Sequence, residues 1–463
     1  MTSSRKLVVD KHEPVALGTG RNGNDQPGES YSVVHLVVQE VAKPLVGPQV
    51  LDHMQSLVAS GHASQPARIM VALLEPARAA FRNEVRKAAR SLKSRAPDVK
   101  VAVVPYVSRL SLRQNAAVFG HYLKSWSRQQ RVVFHCRGER ATTWAHALSP
   151  FFDRPGILAD IRGPWPEEIL FAGGETSYVE AATDNQRDYD VAMLQLRNAL
   201  AEAHHVTTVS VGMRDWLATL GVGRDRITYV PCCTKSISFD DSARDASRSR
   251  LGLSDKLVLV YSGGVSQYQY LTEGMADFVR QMMRLEPSVH LLAVTPDVSK
   301  MIQMLNTAGV DARRTTVLCV SQEEVSRTIM AGDAGLIFGK RGTLKSVVQP
   351  VKFAEYLAAG LPVIVSRGSR GMDPLIETYD AGILVEYSEA RWRKVEIERI
   401  IQTLRQERET LREGALKLCR EHFLWARYAD SMRAAYVNTL EAASANARCF
   451  AVDTSRATVR SAP

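Results

Sequence analysis

The sequence predicts an α/β protein of two doubly wound, parallel-sheet domains facing each other across a cleft. Three observations lead there. Short β-branched runs alternate with longer segments of helical spacing, a rhythm that means βαβ crossovers and parallel strands. The rhythm breaks once near mid-chain and then resumes. And 463 residues at 45% hydrophobic content are more than one core accommodates, since single cores stop growing at roughly 250–300 residues.

The opening stretch ends "GTGRNGNDQPGES" and holds few large apolar side chains, so residues 1–30 read as a disordered head. In a first domain, 31–235, strands are expected at Val33–Val38, Ile69–Leu74, Val101–Val104, Arg131–His135, Ile157–Ile161, Val206–Ser210 and Ile227–Val230. Helical segments such as Gln49–Ala59 and Leu112–Ser127 separate them. The Ser-, Asp- and Arg-rich stretch "TKSISFDDSARDASRSRLGLSDK" interrupts the pattern, and 236–256 read as a linker with a short helix. A second domain, 257–422, is expected to place strands at Leu257–Tyr261, Val289–Val294, Thr316–Val320, Ala334–Phe338, Pro362–Val365 and Ile383–Glu386. One of its helices opens on the capping box "SQEE" at Ser321. Phe423, Trp425, Tyr428, Met432, Tyr436 and Leu440 recur at near-helical spacing and mark a packing helix, 423–441; the small, polar residues 442–463 are expected to fray as a flexible tail.

A formal net charge of +10 calls for an anionic partner: nucleic acid, a lipid surface or a phosphorylated substrate. No nucleic-acid module is recognisable, so no nucleic-acid partner is expected. The densest basic segment, "FRNEVRKAARSLKSR" (Phe81–Arg95), sets Arg82, Arg86, Lys87, Arg90 and Lys93 around a helix that keeps Val85, Ala89 and Leu92 for packing. Two readings stay open, an ordinary solvated face and a patch docking on acidic headgroups at about 1 kcal/mol per basic residue. Apolar runs such as Val289–Val294 fall far short of the ~20 residues that span a bilayer, and the amino-terminal residues lack the apolar stretch of a signal peptide. A cytoplasmic protein is expected, peripheral at the inner face of the plasma membrane if the basic helix docks there. Six cysteines without CxxC spacing read as reduced thiols, and eleven histidines without zinc-type spacing give no expectation of a metal site.

The stretch "QPVKFAEYLAAGLPVIVS", from Gln349, combines a helix with Pro in its first turn, a closing glycine at Gly360 and a following strand. A helix start at the mouth of a parallel sheet offers free N–H groups and a positive dipole end to an anion. Lys352 and Glu355 share one face of it. They are either a surface ion pair or part of a site in which the carboxylate accepts two ribose hydroxyls.

"PVKFAEYLAAGLPVI" resembles the carboxy-terminal donor motif of family 4 glycosyltransferases of the GT-B fold, two Rossmann-like domains around a cleft. "LVYSGG" is similar to their glycine loop, "RITYVPCCTK" to the strand entering the interdomain linker, and "AGDAGLIF" to the strand before the donor site. "ILADIRGPWPEE" resembles the "D-x-R-G" loop of the branch that builds bacterial surface polysaccharides, and "HFLWARYADSMRAAY" the terminal helix that crosses back to the first domain. The likeness covers most of residues 31 to 440. It implies a retaining, metal-independent transferase with a nucleotide-sugar co-substrate, no further cofactor, and a glycan or lipid-linked acceptor. It also implies that Glu355 holds the donor ribose.

Two departures stand out. Val347 replaces a second glutamate that many members carry, while Ser346 and Pro350 suit the polysaccharide branch. In "SGGVSQYQY", Gly264 and Gln269 stand near the places of an arginine and a lysine that clamp the pyrophosphate. Another charge must therefore meet the leaving diphosphate. Lys340 and Arg341, after the strand Ala334–Phe338, are the expected replacements, with Lys352 adding to them. Gly263 and Gly264 let backbone N–H groups approach the phosphates.

In the first domain, Asp160 matches the place of a catalytic histidine or aspartate, with Arg162 two residues on to orient it or the acceptor. His135 is the alternative acid–base group. Trp165, Glu167 and Glu168 follow in a proline-rich loop suited to stacking on a sugar and accepting its hydroxyls. A second functional reading stays open: a GT-B subunit that binds nucleotide sugar or glycan without turnover, which the missing clamp favours. A sugar-nucleotide epimerase fits less well, because its "D-S-G-G-x-Q-E-E" segment has no counterpart.

Overall fold

The computed structural model describes residues 30–41, 43, 45–60, 66–128, 130–171, 178–265, 272–339, 342–386 and 392–458. The first domain holds β1 (Tyr31–Val38), β2 (Arg68–Pro76), β3 (Lys100–Tyr106), β4 (Arg131–Arg137), β5 (Gly156–Ile161), β6 (His205–Thr208) and β7 (Ile227–Tyr229), in the order β3-β2-β1-β4-β5-β6-β7. The second holds β8 (Leu257–Ser262), β9 (Val289–Val294), β10 (Thr315–Leu318), β11 (Ala334–Ile337), β12 (Val363–Ser366) and β13 (Gly382–Val385), in the order β10-β9-β8-β11-β12-β13. All pairings are parallel. Each sequence-predicted strand is present, its ends moved by no more than about two residues, the usual boundary uncertainty.

Both sheets are covered by helices on both faces, which is why β1 and β8 are buried at every residue and read as mostly apolar runs. Both orders grow outward from their first strand. Winding direction therefore reverses between β1 and β4 and between β8 and β11, and at such switch points an open sheet leaves a crevice past its strand ends.

The stretch read as a linker is tied to the second domain. Its helix Asp241–Leu251 starts where Asp240 accepts from Ala243 N (2.7 Å) and stops at Gly252, φ 66°. Ser238 N and Phe239 N both donate to Ala358 O at 2.9 Å. At the other end, Thr234 N donates to Phe423 O (2.8 Å) and Trp425 N to Thr234 O (3.1 Å), so the two crossings between domains run side by side. Trp425, Tyr428, Met432 and Tyr436 then bury themselves in the core of the first domain. The tail from 442 does not fray at once: the helix Ala429–Thr458 continues through it. Its run "EAASANARCFAV" is rich in alanine, the best helix former, and small size was misread as an absence of structure.

Candidate functional site between the two domains

In the second domain β8 ends at Ser262 and the chain turns at Gly263, φ 120°, a conformation closed to ordinary L residues. A Cβ there would stand 3.3 Å from Lys352 Nζ, so the ammonium lies against bare backbone. Lys352 rises from the first turn of the helix Val351–Ala358 and is 7% exposed. Its Nζ sits 4.1 Å from the centroid of the Tyr261 ring. Burial pushes it down to about 7, against the pull of Glu355. The helix opens after Pro350, which has extended backbone and supplies no side-chain cap.

Glu355 lies on the same face of that helix. Burial raises its carboxyl, while Lys352 and Arg95 pull it back down. Arg95 belongs to the first domain, where Asp52 grips it through Nε–Oδ1 at 2.9 Å and Nη2–Oδ2 at 2.6 Å. Glu355 therefore faces the gap between domains rather than an outer rim. Tyr261 and Asp297 complete the loop: Tyr261 OH donates to Gly264 O (2.6 Å), and Asp297 Oδ2 accepts from Val265 N (2.9 Å).

Across the gap, Asp160 is the penultimate residue of β5 and is 3% exposed. Its carboxylate accepts from Thr207 Oγ1 (3.0 Å) and Arg162 Nη1 (3.3 Å), with His135 Nε2 at 3.7 Å. Burial pushes the carboxyl up, but Arg162, His135 and Arg137 outweigh it and hold it well below the usual carboxylate range. His135 is itself buried, its Nδ1 2.9 Å from Tyr436 OH, and the guanidinium of Arg162 continues to Cys232 Sγ (3.4 Å) and the Trp425 ring. The two residues expected to handle protons are thus locked into a buried chain, Tyr436–His135–Asp160–Arg162.

His35 stacks on His135 at 4.0 Å and 13°. Among the described residues, His35, His135 and Asp160 are the one group whose ligand atoms lie close enough together to hold a metal ion. Arg162 also reaches the Asp160 carboxylate, Nη1 to Oδ2 at 3.3 Å.

The other expected residues distribute along the seam. Trp165 starts the helix Trp165–Leu170 and is exposed, Glu167 is buried, and Glu168 folds back over Gly163, where a Cβ would meet Oε1 at 2.8 Å. The same helix sets Leu170 and Phe171 against Leu344 of the second domain. Ser346 Oγ donates to Thr343 O (3.0 Å), and its carbonyl accepts from Arg370 N (3.3 Å) while touching Gly212 of the first domain. Its side chain thus caps its own helix turn. Lys340, Arg341 and Gln269 lie outside the described residues.

Sequence reasoning missed several residues here. Arg137, the last residue of β4, binds Glu40 (Nε–Oε2, 2.6 Å) and Gln49. Gln349 pairs with the Cys232 peptide across the seam, accepting from its N (3.2 Å) and donating to its O (3.3 Å). The strand-end rule was enough to pick out Arg137, Glu40 and Asp297; the Gln349 clamp carries no such signal.

No protein-family model matches the chain, and no curated protein matches it in sequence. Among solved structures it is similar to HepE from Anabaena in complex with UDP, at 13% identity and TM-score 0.59 over 87% of this chain and 98% of that one. A glycosyltransferase from Rickettsia africae ESF-5 is similar at 12% identity and TM-score 0.59, over 89% and 99% of the two chains. Sucrose-phosphate synthase from Thermosynechococcus elongatus matches at 14% and 0.59, over 89% and 100%. HepE is also known with UDP-glucose bound. These likenesses establish the GT-B architecture.

Proposed function

We propose that the chain is a glycosyltransferase moving a sugar from a nucleoside-diphosphate donor to an acceptor hydroxyl, the second domain holding the donor and the first the acceptor. One observation carries this reading: the buried Lys352 ammonium against Gly263, beside Glu355, at the switch point of the second sheet. A cation cleared of water next to bare backbone suits a diphosphate, and a carboxylate on the same helix face suits two ribose hydroxyls. Proteins of the same fold that hold UDP and UDP-glucose support the donor class.

Lys352 takes over part of the charge that the customary arginine and lysine supply, with Lys340 and Arg341 contributing after β11. We read the transfer as retaining and metal-independent. The leaving phosphate takes the acceptor's proton as its bond to the sugar breaks, and Lys352 meets the growing charge. Asp160, buried and ionised, is then a positioning residue for Arg162. The "D-x-R-G" likeness supports an acceptor of the cell-surface polysaccharide or glycolipid class. The helix Asn83–Arg95 points Arg86, Lys87, Arg90 and Lys93 outward, a face suited to the anionic membrane on which a lipid-linked acceptor sits. Among the described residues no helix is long and apolar enough to cross a membrane.

The test is release of free nucleoside diphosphate from a panel of nucleotide sugars, with lipid-linked glycan extract as acceptor. Release from one donor, lost in Lys352→Met, is expected. Nucleotide binding without release under every acceptor assigns the non-catalytic subunit instead, the reading favoured by the neutral residue at Gly264.

A further inference from the structure

At the amino-terminal end of the central strands of the second sheet, four arginines gather about one buried carboxylate. Asp333 precedes β11 and is fully buried; its backbone N donates to Val258 O (2.7 Å), and its Oδ2 accepts from Val258 N (2.8 Å). Around it converge Arg244 (Nη2–Oδ1, 2.7 Å), Arg248 (Nη1–Oδ2, 3.2 Å) and Arg408 (Nη1–Oδ1, 3.3 Å). Arg412 lies behind them over the Phe239 ring. Val258 is four residues before Ser262, so this cluster and the Gly263 loop are separated by about 13 Å of strand at ~3.3 Å per residue. It lies at the amino-terminal end of these strands, opposite the carboxyl ends that face the interdomain gap.

The positive charges outnumber their partners. Glu409, from solvent, takes Arg412 (2.6 Å) and Arg408 (3.3 Å), and Asp245, 79% exposed, stands 3.8 Å from Arg244. Arg244 and Arg412 are 8% and 7% exposed, yet the Nε of each meets no hydrogen-bond partner among the described residues. A buried guanidinium with an unused donor is costly. Burial, and the repulsion of Arg248, Arg412 and Arg408, push Arg244 below the usual arginine range against the pull of Asp333. Arg244, Asp245, Arg248, Ser254 and Arg408 line a cavity of about 290 Å³.

We propose that this cavity is a second ligand site, binding a phosphate group through Arg244 and Arg408 at the edge of the second domain remote from the interdomain gap. A tetrahedral phosphate suits the excess of positive charge and the planar forks of the guanidiniums, which bind phosphate oxygens in pairs. Its source is either free inorganic phosphate or the phosphate of a small phosphorylated metabolite. The site stands independently of glycosyl transfer.

Isothermal titration with inorganic phosphate and with a hexose monophosphate, at matched ionic strength, tests it in the Lys352→Met protein, which removes the donor pocket's cation. Arg408→Gln is expected to weaken binding about tenfold, the loss of one charge-assisted contact. Asp245→Asn, at an exposed position, is expected to tighten it. Stronger binding of one ligand identifies the source and supports the site in either case. No titratable heat in the Lys352→Met protein, or affinity unmoved by both Arg408→Gln and Asp245→Asn, overturns the proposal.

Discussion

Lys352 and Tyr261 form an ammonium-on-ring pair inside the second domain, Nζ 4.1 Å from the ring centroid. The ring comes from β8 and the lysine from the helix Val351–Ala358 before β12, so the contact pins that helix to the glycine turn. A π face attracts a cation without neutralising it.

That arrangement gives nucleotide binding a pH dependence. At about 7, Lys352 is only part-protonated near neutrality while the pocket is empty. A bound diphosphate raises its pKa, so binding takes up a proton above that value. Nucleoside diphosphate affinity is expected to fall by up to about tenfold per pH unit above pH 7. Calorimetry over about pH 7 to 9, past the nucleotide's own titration near pH 6, checks it. Lys352→Met should bind more weakly, with the slope gone; a slope surviving in that variant places the coupled proton elsewhere.

Glu355 gives a ribose-specific prediction. Charge-assisted hydrogen bonds to hydroxyls contribute about 1.5–3 kcal/mol each, so Glu355→Ala is expected to raise the donor KM at least about tenfold. The informative comparison uses a 2′-deoxyribose donor. It should be poor for the wild type and no worse than the ribose donor for Glu355→Ala. An equal preference for ribose in both proteins removes Glu355 from that role.

The scaffold was legible because parallel strands buried on both faces read as mostly apolar runs. Leu257–Ser262 and Val289–Val294 announce themselves without help from context. Candidate site residues could be picked out only where they sat near such a strand end or on a helix start, as Asp160 and Glu355 do. Burial was not legible: nothing in "ADIRG" says that Thr207, 47 residues on, will close over Asp160. Nor does the tail's small-residue composition separate a frayed end from an alanine-rich helix, since both lack large side chains.

Buried imidazoles set the acid limit of the fold. His35 and His53 are 0% and 2% exposed, and neither ring has a hydrogen-bond partner among the described residues. Burial, followed by the charge of His135, pushes His53 down to about 3 and His35 well below its ordinary value. The unfolded chain takes up these protons near pH 6.5 and the folded one does not. Stability is therefore full above pH 6.5 and lost as pH falls toward 3, by about 1.4 kcal/mol per pH unit for each histidine. Urea melts between about pH 7 and 4 should show this slope. His53→Phe, which keeps the stack on Trp425 (4.5 Å), should reduce it by one proton's worth; an unchanged slope means that His53 accepts its proton in the folded state.

The seam itself is tested at Gly212. A Cβ there would come within 2.1 Å of Ser346 O and 3.3 Å of Val347 Cα. Both are backbone of the opposite domain, so no side chain swings away to make room. The contact is flanked by Ser210 bonding to Val347 O and by Arg370 against Asp215 at 3.4 Å, further ties between the same two segments. Gly212→Ala is expected to part the domains locally and to cost about 1–3 kcal/mol, the usual range for overpacking. Lys352, Gly263 and Tyr261 all belong to one domain, whereas transfer requires the two halves to meet. Nucleotide affinity should therefore hold within about twofold while turnover drops about tenfold or more, the signature of misplaced partners. Titration and steady-state rates on the same preparation separate these. If affinity falls as steeply as turnover, the donor pocket depends on the first domain for its shape, and the division of labour between the halves is wrong.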